Sequence, residues 1–193
     1  MTDNIRSAFT KASDALTRFT DDPDNIARVA AVSELIANTF RNKGKVIIFG
    51  NGGSMCDAMH FAEEFTGRFR KDRPALPAIA ISDPSHLTCV GNDYGFDAVF
   101  SRGVEAFALP NDVVIGISTS GNSPNVIRAL ETAQDRKCFT VALLGKDGGK
   151  LRDNCDYDFI IEAVTTDRIQ EIHMMILHII IENVERLLFP ELY

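Results

Sequence analysis

The chain has 193 residues, 45% of them hydrophobic and 24% charged, with a formal net charge of −7 at pH 7. The apolar content excludes an intrinsically disordered chain, and the acidic balance excludes a general nucleic-acid binder. Length and composition predict one α/β domain, residues 1–193, with room for a substantial core. The four cysteines, Cys56, Cys89, Cys138 and Cys155, form no C-x-x-C and read as reduced, buried thiols of a cytoplasmic protein. Charges at Asp3, Arg6, Lys11 and Asp14 leave no room for the apolar core of a signal peptide, and no stretch is long enough to span a membrane.

Residues from about Thr2 to Phe19 predict an amphipathic helix with Ile5, Phe9, Ala12, Leu16 and Phe19 on one face. Asp21-Asp22-Pro23-Asp24 breaks it, and a second helix is expected over about Asn25–Asn42. These residues, about 1–43, form a helical extension of the same domain whose apolar faces are expected to cover another surface, such as a second subunit. Lys45–Phe49 then reads as a buried strand, and Gly50-Asn51-Gly52-Gly53-Ser54 as a turn into a helix over Met55–Arg70. Such a turn exposes backbone N–H groups at the positive end of a helix, where an anion can bind, with Ser54 expected as the N-cap. The turn is neither a Walker loop nor a dinucleotide fingerprint, since it lacks Gly-Lys-Ser/Thr and G-x-G-x-x-G.

A short strand follows over Leu76–Ile81; its loop, Ser82-Asp83-Pro84-Ser85-His86, leads into Leu87–Val90 and then Gly91-Asn92-Asp93-Tyr94-Gly95, where Asn92-Asp93 reads as a loop, before a helix over about Phe96–Phe107. Asp112–Ile117 is the next buried strand, and Ser118-Thr119-Ser120-Gly121-Asn122-Ser123 repeats the glycine–hydroxyl device of the first turn. Pro124 sits where the first turn of a helix tolerates proline, and the helix continues to Arg136. Four hydroxyls within six residues at a helix start suit the oxygens of a phosphate. Strands over Cys138–Leu144 and Tyr157–Ile161, and a long last helix over Thr166–Leu188, complete the pattern. Alternating strands and helices predict a three-layer sandwich with a five-stranded parallel sheet, ligands binding outside the carboxyl ends of the strands.

His60 and Glu64 stand four apart on one helix and so share a face, which suits a divalent metal or an acid–base couple. Asp57 and Glu63 on the same helix read most simply as solvent-facing or capping charges. On the last helix His173 and His178 interrupt an apolar run and point about 140° apart, so both cannot serve one site. One of the two is therefore expected to be structural.

Five motifs stand in order along the chain: G-N-G-G-S (50–54), H-F-A-E-E (60–64), G-N-D-Y-G-F (91–96), S-T-S-G-N-S (118–123) and D-R-I-Q-E-I-H (167–173). Together they resemble the bacterial sedoheptulose-7-phosphate isomerases, or phosphoheptose isomerases, over nearly the whole chain. The resemblance implies the sugar isomerase (SIS) fold, flavodoxin-like, a homotetramer, and conversion of sedoheptulose 7-phosphate to D-glycero-D-manno-heptose 7-phosphate for the heptose of lipopolysaccharide core. It implies substrate contacts at Asn51, Gly52, Gly53 and Ser54, a phosphate cradle of Ser118, Thr119, Ser120 and Ser123, and sugar contacts at Asn92, Asp93 and Asp167. Arg68 matches an arginine near the phosphate. Glu64 and His178 match the acid–base pair, while His60, Glu64, Gln170 and His178 match the ligands of one Zn²⁺ per subunit, with Glu64 and Gln170 also facing substrate.

Ketose–aldose isomerisation moves a proton from C1 to C2 through an enediolate, work suited to a carboxylate and an imidazole beside a metal. A side chain that holds zinc by its lone pair is a poor base, so either the metal moves or a ligand uses its free oxygen. A second class stays open, because relatives of the fold bind the bacterial replication initiator without isomerase activity; those lack the acid–base residues that stand here at 64 and 178. A sugar-phosphate-sensing regulator is a third class, but no DNA-binding segment is attached. Gln170 and His178 are eight residues apart, about 12 Å along a straight helix and about 80° around it, and Gln170, leaning toward the N-terminus, points away from His178. A site shared between subunits is therefore expected.

Overall fold

A computed structural model describes residues 1–193. Two helices come first, α1 (Thr2–Asp21) and α2 (Pro23–Arg41). The Asp-Asp-Pro break works as read: the Asp22 carboxylate accepts from the Asp24 N–H and Pro23 occupies the first turn of α2. Five strands follow, β1 (Val46–Gly50), β2 (Ala78–Ala80), β3 (Val113–Ser118), β4 (Phe139–Gly145) and β5 (Tyr157–Ile161). Between and after them run α3 (Gly53–Thr66), α4 (Pro84–Tyr94), α5 (Val99–Phe107), α6 (Pro124–Asp135) and α7 (Thr166–Leu188).

The sheet is all parallel, in the order β2-β1-β3-β4-β5. Its residues alternate between two cores because successive side chains on a strand face opposite sides. Val46, Ile48, Ile115, Leu143 and Phe159 pack with α1, α2, α3 and α7. Ile47, Phe49, Val114, Ala142 and Leu144 pack with α4, α5 and α6 on the opposite face. The three-layer sandwich and its extra N-terminal helices are those expected. Strand order reverses between β1 and β3, the place where ligands bind in this architecture.

The structure corrects several details of the sequence reading. The 82–95 segment is largely helical: Asp83 accepts from the His86 N–H, Pro84 opens α4, and Asn92 and Asp93 lie in its last turn rather than in a loop. The same Asp-Pro signature that opens α2 was available here, but α4 buries only Val90 and so shows little apolar periodicity. Helix α3 begins two residues earlier than expected, with Gly52 and not Ser54 at the cap, and ends at Thr66 rather than Arg70. Of the cysteines, Cys138 and Cys155 are withdrawn from solvent, whereas Cys56 and Cys89 are exposed. Burial pushes the Cys138 and Cys155 thiols up to about 11 and about 12.

The C-terminal end of α3 is closed by Arg73. Its Nη2 donates to the Glu64 carbonyl at 2.6 Å and its Nη1 to that of Phe65 at 2.7 Å, satisfying groups a helix end leaves unpaired. Its Nε donates to Glu185 Oε1 of α7 at 2.8 Å, and the Tyr193 hydroxyl completes the pocket on Glu185 Oε2 at 2.6 Å. The side chains of Arg73 and Glu185 are 0% and 1% exposed.

His173 is the structural histidine of α7. Its Nε2–H donates to the Leu144 carbonyl at 2.8 Å, Nδ1 is buried without a partner, and burial pushes its pKa down to about 4. Asp57 departs from the reading as a surface charge: Oδ2 is buried and unpartnered, and desolvation raises the carboxyl to about 6 against the pull of His60. These two groups oppose one another on acidification. Between pH 6.5 and 4 the unfolded chain protonates a histidine that the folded chain does not, which costs on the order of 3 kcal/mol of stability. Over the same window the folded chain takes up a proton at Asp57 before the unfolded chain does, which adds stability. His173→Gln is therefore expected to gain stability between pH 6.5 and 4.5, and Asp57→Asn to lose it. Urea unfolding at the two pH values checks the opposite signs, and equal slopes in both variants would refute the assignment.

Candidate active site

The two glycine–hydroxyl turns follow β1 and β3, which are neighbours in the sheet with Gly50 opposite Ile117. Both turns thus emerge side by side at the switch point. Residues 53 and 54 open α3, and Gly53 is needed there for a close approach: a Cβ would stand 2.7 Å from the Gln170 amide. Ser54 is buried and its hydroxyl accepts from Gln170 Nε2 at 3.2 Å, so it links α3 to α7 instead of capping.

In the second turn Ser123 is the residue before α6, with Pro124 at the first helical position as expected. The Ser118 and Ser123 hydroxyls are 3.0 Å apart, and Ser120 Oγ accepts from the Asn122 N–H at 3.2 Å. Ser120, accepting from the backbone, keeps its own proton to donate, as does one hydroxyl of the Ser118–Ser123 pair, and such donors beside the α6 N-terminus favour an anion. Thr119 lies half-buried between them. The turn is dovetailed into the one after β4: Gly121 has φ +63°, and a Cβ on it would overlap the Gly148 carbonyl oxygen at 1.8 Å. Asn122 Oδ1 accepts from the Lys150 N–H and the Gly121 carbonyl from the Leu151 N–H, which holds the cradle rigid. The serines stand out in the sequence; the glycines at 145–150 that lock them do not.

Asn125 is a residue the sequence reading missed. It forms a reciprocal amide pair with Asn51 at 2.9 and 2.8 Å. A single asparagine behind Ser-Pro carries no pattern that would single it out.

His60, Glu64 and His178 come together as predicted, with one ligand atom from each inside 4.8 Å of the others. His60 Nε2 is 3.2 Å from Glu64 Oε1 and 3.8 Å from Glu63 Oε1. The His60 and His178 rings meet edge to face with centroids 5.0 Å apart, and Phe69 stacks on His178 at 5.8 Å. Burial, then the neighbouring His60, hold the His178 pKa below its ordinary value. The set of two imidazoles and one carboxylate fits a divalent ion with a coordination position left open. Because α3 and α7 run side by side, all three residues belong to one chain, so the expected division between subunits does not separate Glu64 from His178. Gln170 is the member left out, held at Ser54 about three turns from Glu64 along α3.

The remaining expected residues are dispersed. Asn92 donates to Asp93 Oδ1 at 2.7 Å on exposed α4. Arg68 lies exposed just past the end of α3. Asp167 faces a cavity of about 290 Å³ beside α1, where the Thr165 hydroxyl and then Arg168 hold its carboxyl down to about 2.

Residues 9–145 match the SIS domain family. A phosphoheptose isomerase of Fusobacterium nucleatum is 60% identical over 98% of this chain and 98% of its own. Among solved structures, phosphoheptose isomerases of Neisseria gonorrhoeae and Francisella tularensis superpose with TM-scores of 0.89 and 0.91, at 37% and 32% identity. They cover 95% and 96% of this chain, which in turn spans 98% of each.

Proposed function

The chain belongs to the SIS domain family, among the phosphoheptose isomerases, and from that premise we propose that it interconverts sedoheptulose 7-phosphate and D-glycero-D-manno-heptose 7-phosphate. The observation that carries the chemistry is the approach of His60, Glu64 and His178 to within 4.8 Å. Ser118, Thr119, Ser120 and Ser123 hold the phosphate, and the 51–54 turn, with Asn92, Asp93 and Asp167, receives the sugar. Arg68 reaches the phosphate from the end of α3. Glu64 and His178 exchange the C1 and C2 protons, and a Zn²⁺ held by His60, Glu64 and His178 would stabilise the enediolate oxygens. A non-catalytic initiator-binding protein has no use for such a cluster. Incubation of purified protein with sedoheptulose 7-phosphate tests the reading, and absence of any aldose product would refute it.

We further propose one Zn²⁺ per subunit, with Gln170 of a second chain as fourth ligand. Glutamine is a weak ligand, so occupancy varies with preparation. Chelation is expected to lower activity at least tenfold and Zn²⁺ to restore it; full activity in metal-free protein would make the metal incidental.

The active unit is a cytoplasmic homotetramer of single-domain chains, supplying heptose for lipopolysaccharide core. Ile5, Phe9, Met59, Met175 and Ile179 are exposed apolar side chains suited to its interfaces. Separation supports a shared site: Glu64 lies eleven residues beyond Gly53, about 16 Å down α3 from its own turn. The cluster of one chain thus serves the turns and Gln170 of another. Co-expressed Glu64→Gln and Gln170→Ala chains should regain activity in mixed oligomers, whereas Glu64→Gln with His178→Gln should not. No rescue in the first pairing, with mixing confirmed by mass, would sink the shared site.

A further inference from the structure

Asn51 Nδ2 donates to Asn125 Oδ1 at 2.9 Å, and Asn125 Nδ2 donates back to Asn51 Oδ1 at 2.8 Å. The two amides close a ring in which each supplies one donor and one acceptor. Asn125 is 2% exposed and sits in the first turn of α6, directly behind Ser123. Asn51 leads the turn into α3. Beyond the strand ladder between β1 and β3, this ring is the hydrogen-bonded link between the two turns. It is also a neutral link, so it spans the site without competing for an anion.

We propose that Asn125 is a positioning residue, which through the amide ring with Asn51 sets the spacing between the turn that receives the sugar and the turn that holds its phosphate. The Asn51 side chain is then a tether, and its turn meets substrate through the backbone N–H groups at 52–54. This rests on the sugar-phosphate reading of the site. A substrate held at both ends tolerates little change in spacing, since a misplacement of about 1 Å can cost about 10²-fold. Gly52 and Gly53 are exposed and carry no side chain to brace the turn, and the Ser54–Gln170 bond holds it to α7, which leaves its spacing from the second turn to the pair.

A double-mutant cycle reads the tether directly. Asn51→Ala, Asn125→Ala and the double variant are compared in kcat/KM, with melting temperatures alongside. Each single change is expected to lower kcat/KM by roughly 10–100-fold, and the double variant to be no worse than the poorer single one. Additive losses would overturn the proposal, because Asn51 would then touch substrate independently. Unchanged kcat/KM with lowered melting temperature would also overturn it, leaving the pair a structural strut. Asn125→Asp, nearly the same shape but with two acceptors facing Asn51, replaces Asn125→Ala if that variant does not fold. Calorimetric titration with inorganic phosphate and with sedoheptulose 7-phosphate separates this proposal from the functional reading. If the wild type binds both without isomerising the sugar, only the activity assignment fails, and the tether still requires Asn51→Ala and Asn125→Ala to weaken the sugar phosphate, held at both turns, equally while leaving inorganic phosphate, held at one, unchanged. Equal sugar-phosphate affinity in the wild type and Asn51→Ala, or no binding of either ligand by the wild type, would overturn it.

Discussion

Glu64→Gln is expected to lower kcat by about 10² or more, the loss typical of removing a general acid–base group. The side chain is well placed for that work: it is 16% exposed, shielded enough to make proton transfer selective yet open to a ligand. Glutamine keeps the shape and can still meet His60 at the 3.2 Å separation, but it neither accepts nor returns a proton. Folding should be little affected, since the Glu64 backbone carbonyl, not its carboxylate, meets the Arg73 clamp. Metal content measured in parallel separates loss of the proton carrier from loss of a ligand. Wild-type turnover in Glu64→Gln would remove Glu64 from the chemistry.

Arg73→Met should be the costliest change for stability, at about 3–5 kcal/mol, as for breaking one side of a buried ion pair. The guanidinium is fully enclosed, and its removal leaves the Glu185 carboxylate with the Tyr193 hydroxyl alone. The Glu64 carbonyl loses its donor in the same step, while that of Phe65 keeps the Leu76 N–H. Arg73→Met/Glu185→Leu should regain part of the loss, because the stranded charge goes too. Urea unfolding compares the three proteins, and a single-variant loss below about 1 kcal/mol would show that the pair is not what closes this end of the molecule.

Arg73 also shows why parts of the fold were hidden in the sequence. It belongs to a run, Arg68-Phe69-Arg70-Lys71-Asp72-Arg73, that reads as one basic cluster. Folded, Arg68 is exposed, Arg70 pairs with Glu182 at 2.9 Å, and Arg73 is buried, because the chain turns back under α3 within six residues. Local spacing was informative where one element decides the outcome. The apolar runs of β1, β3, β4 and β5, the Pro124 helix start and the shared face of His60 and Glu64 were all legible. Helical geometry also stated that His173 and His178 must part, but only the position of β4 decided that His173 meets a carbonyl while His178 joins the cluster. Asn125 escaped notice, and Asp57 read as a surface charge, for a related reason. Their partners, or lack of them, are set by elements far along the chain.

The strand order has a consequence for the chain as it leaves the ribosome. β1 lies inside the sheet, yet its inner neighbour β3 is synthesised some seventy residues later, after β2, α4 and α5. At translation rates of about 5–20 residues per second, Val46-Ile47-Ile48-Phe49 waits several seconds with one edge unpaired. A fully apolar strand with an open edge can be captured by another nascent chain. Helices α1 and α2 are made before it, and Phe19, Val32 and Ile36 share the core of Val46 and Ile48. The N-terminal helices therefore shelter one face of the strand during synthesis, while its hydrogen-bonding edge stays open until β3 emerges.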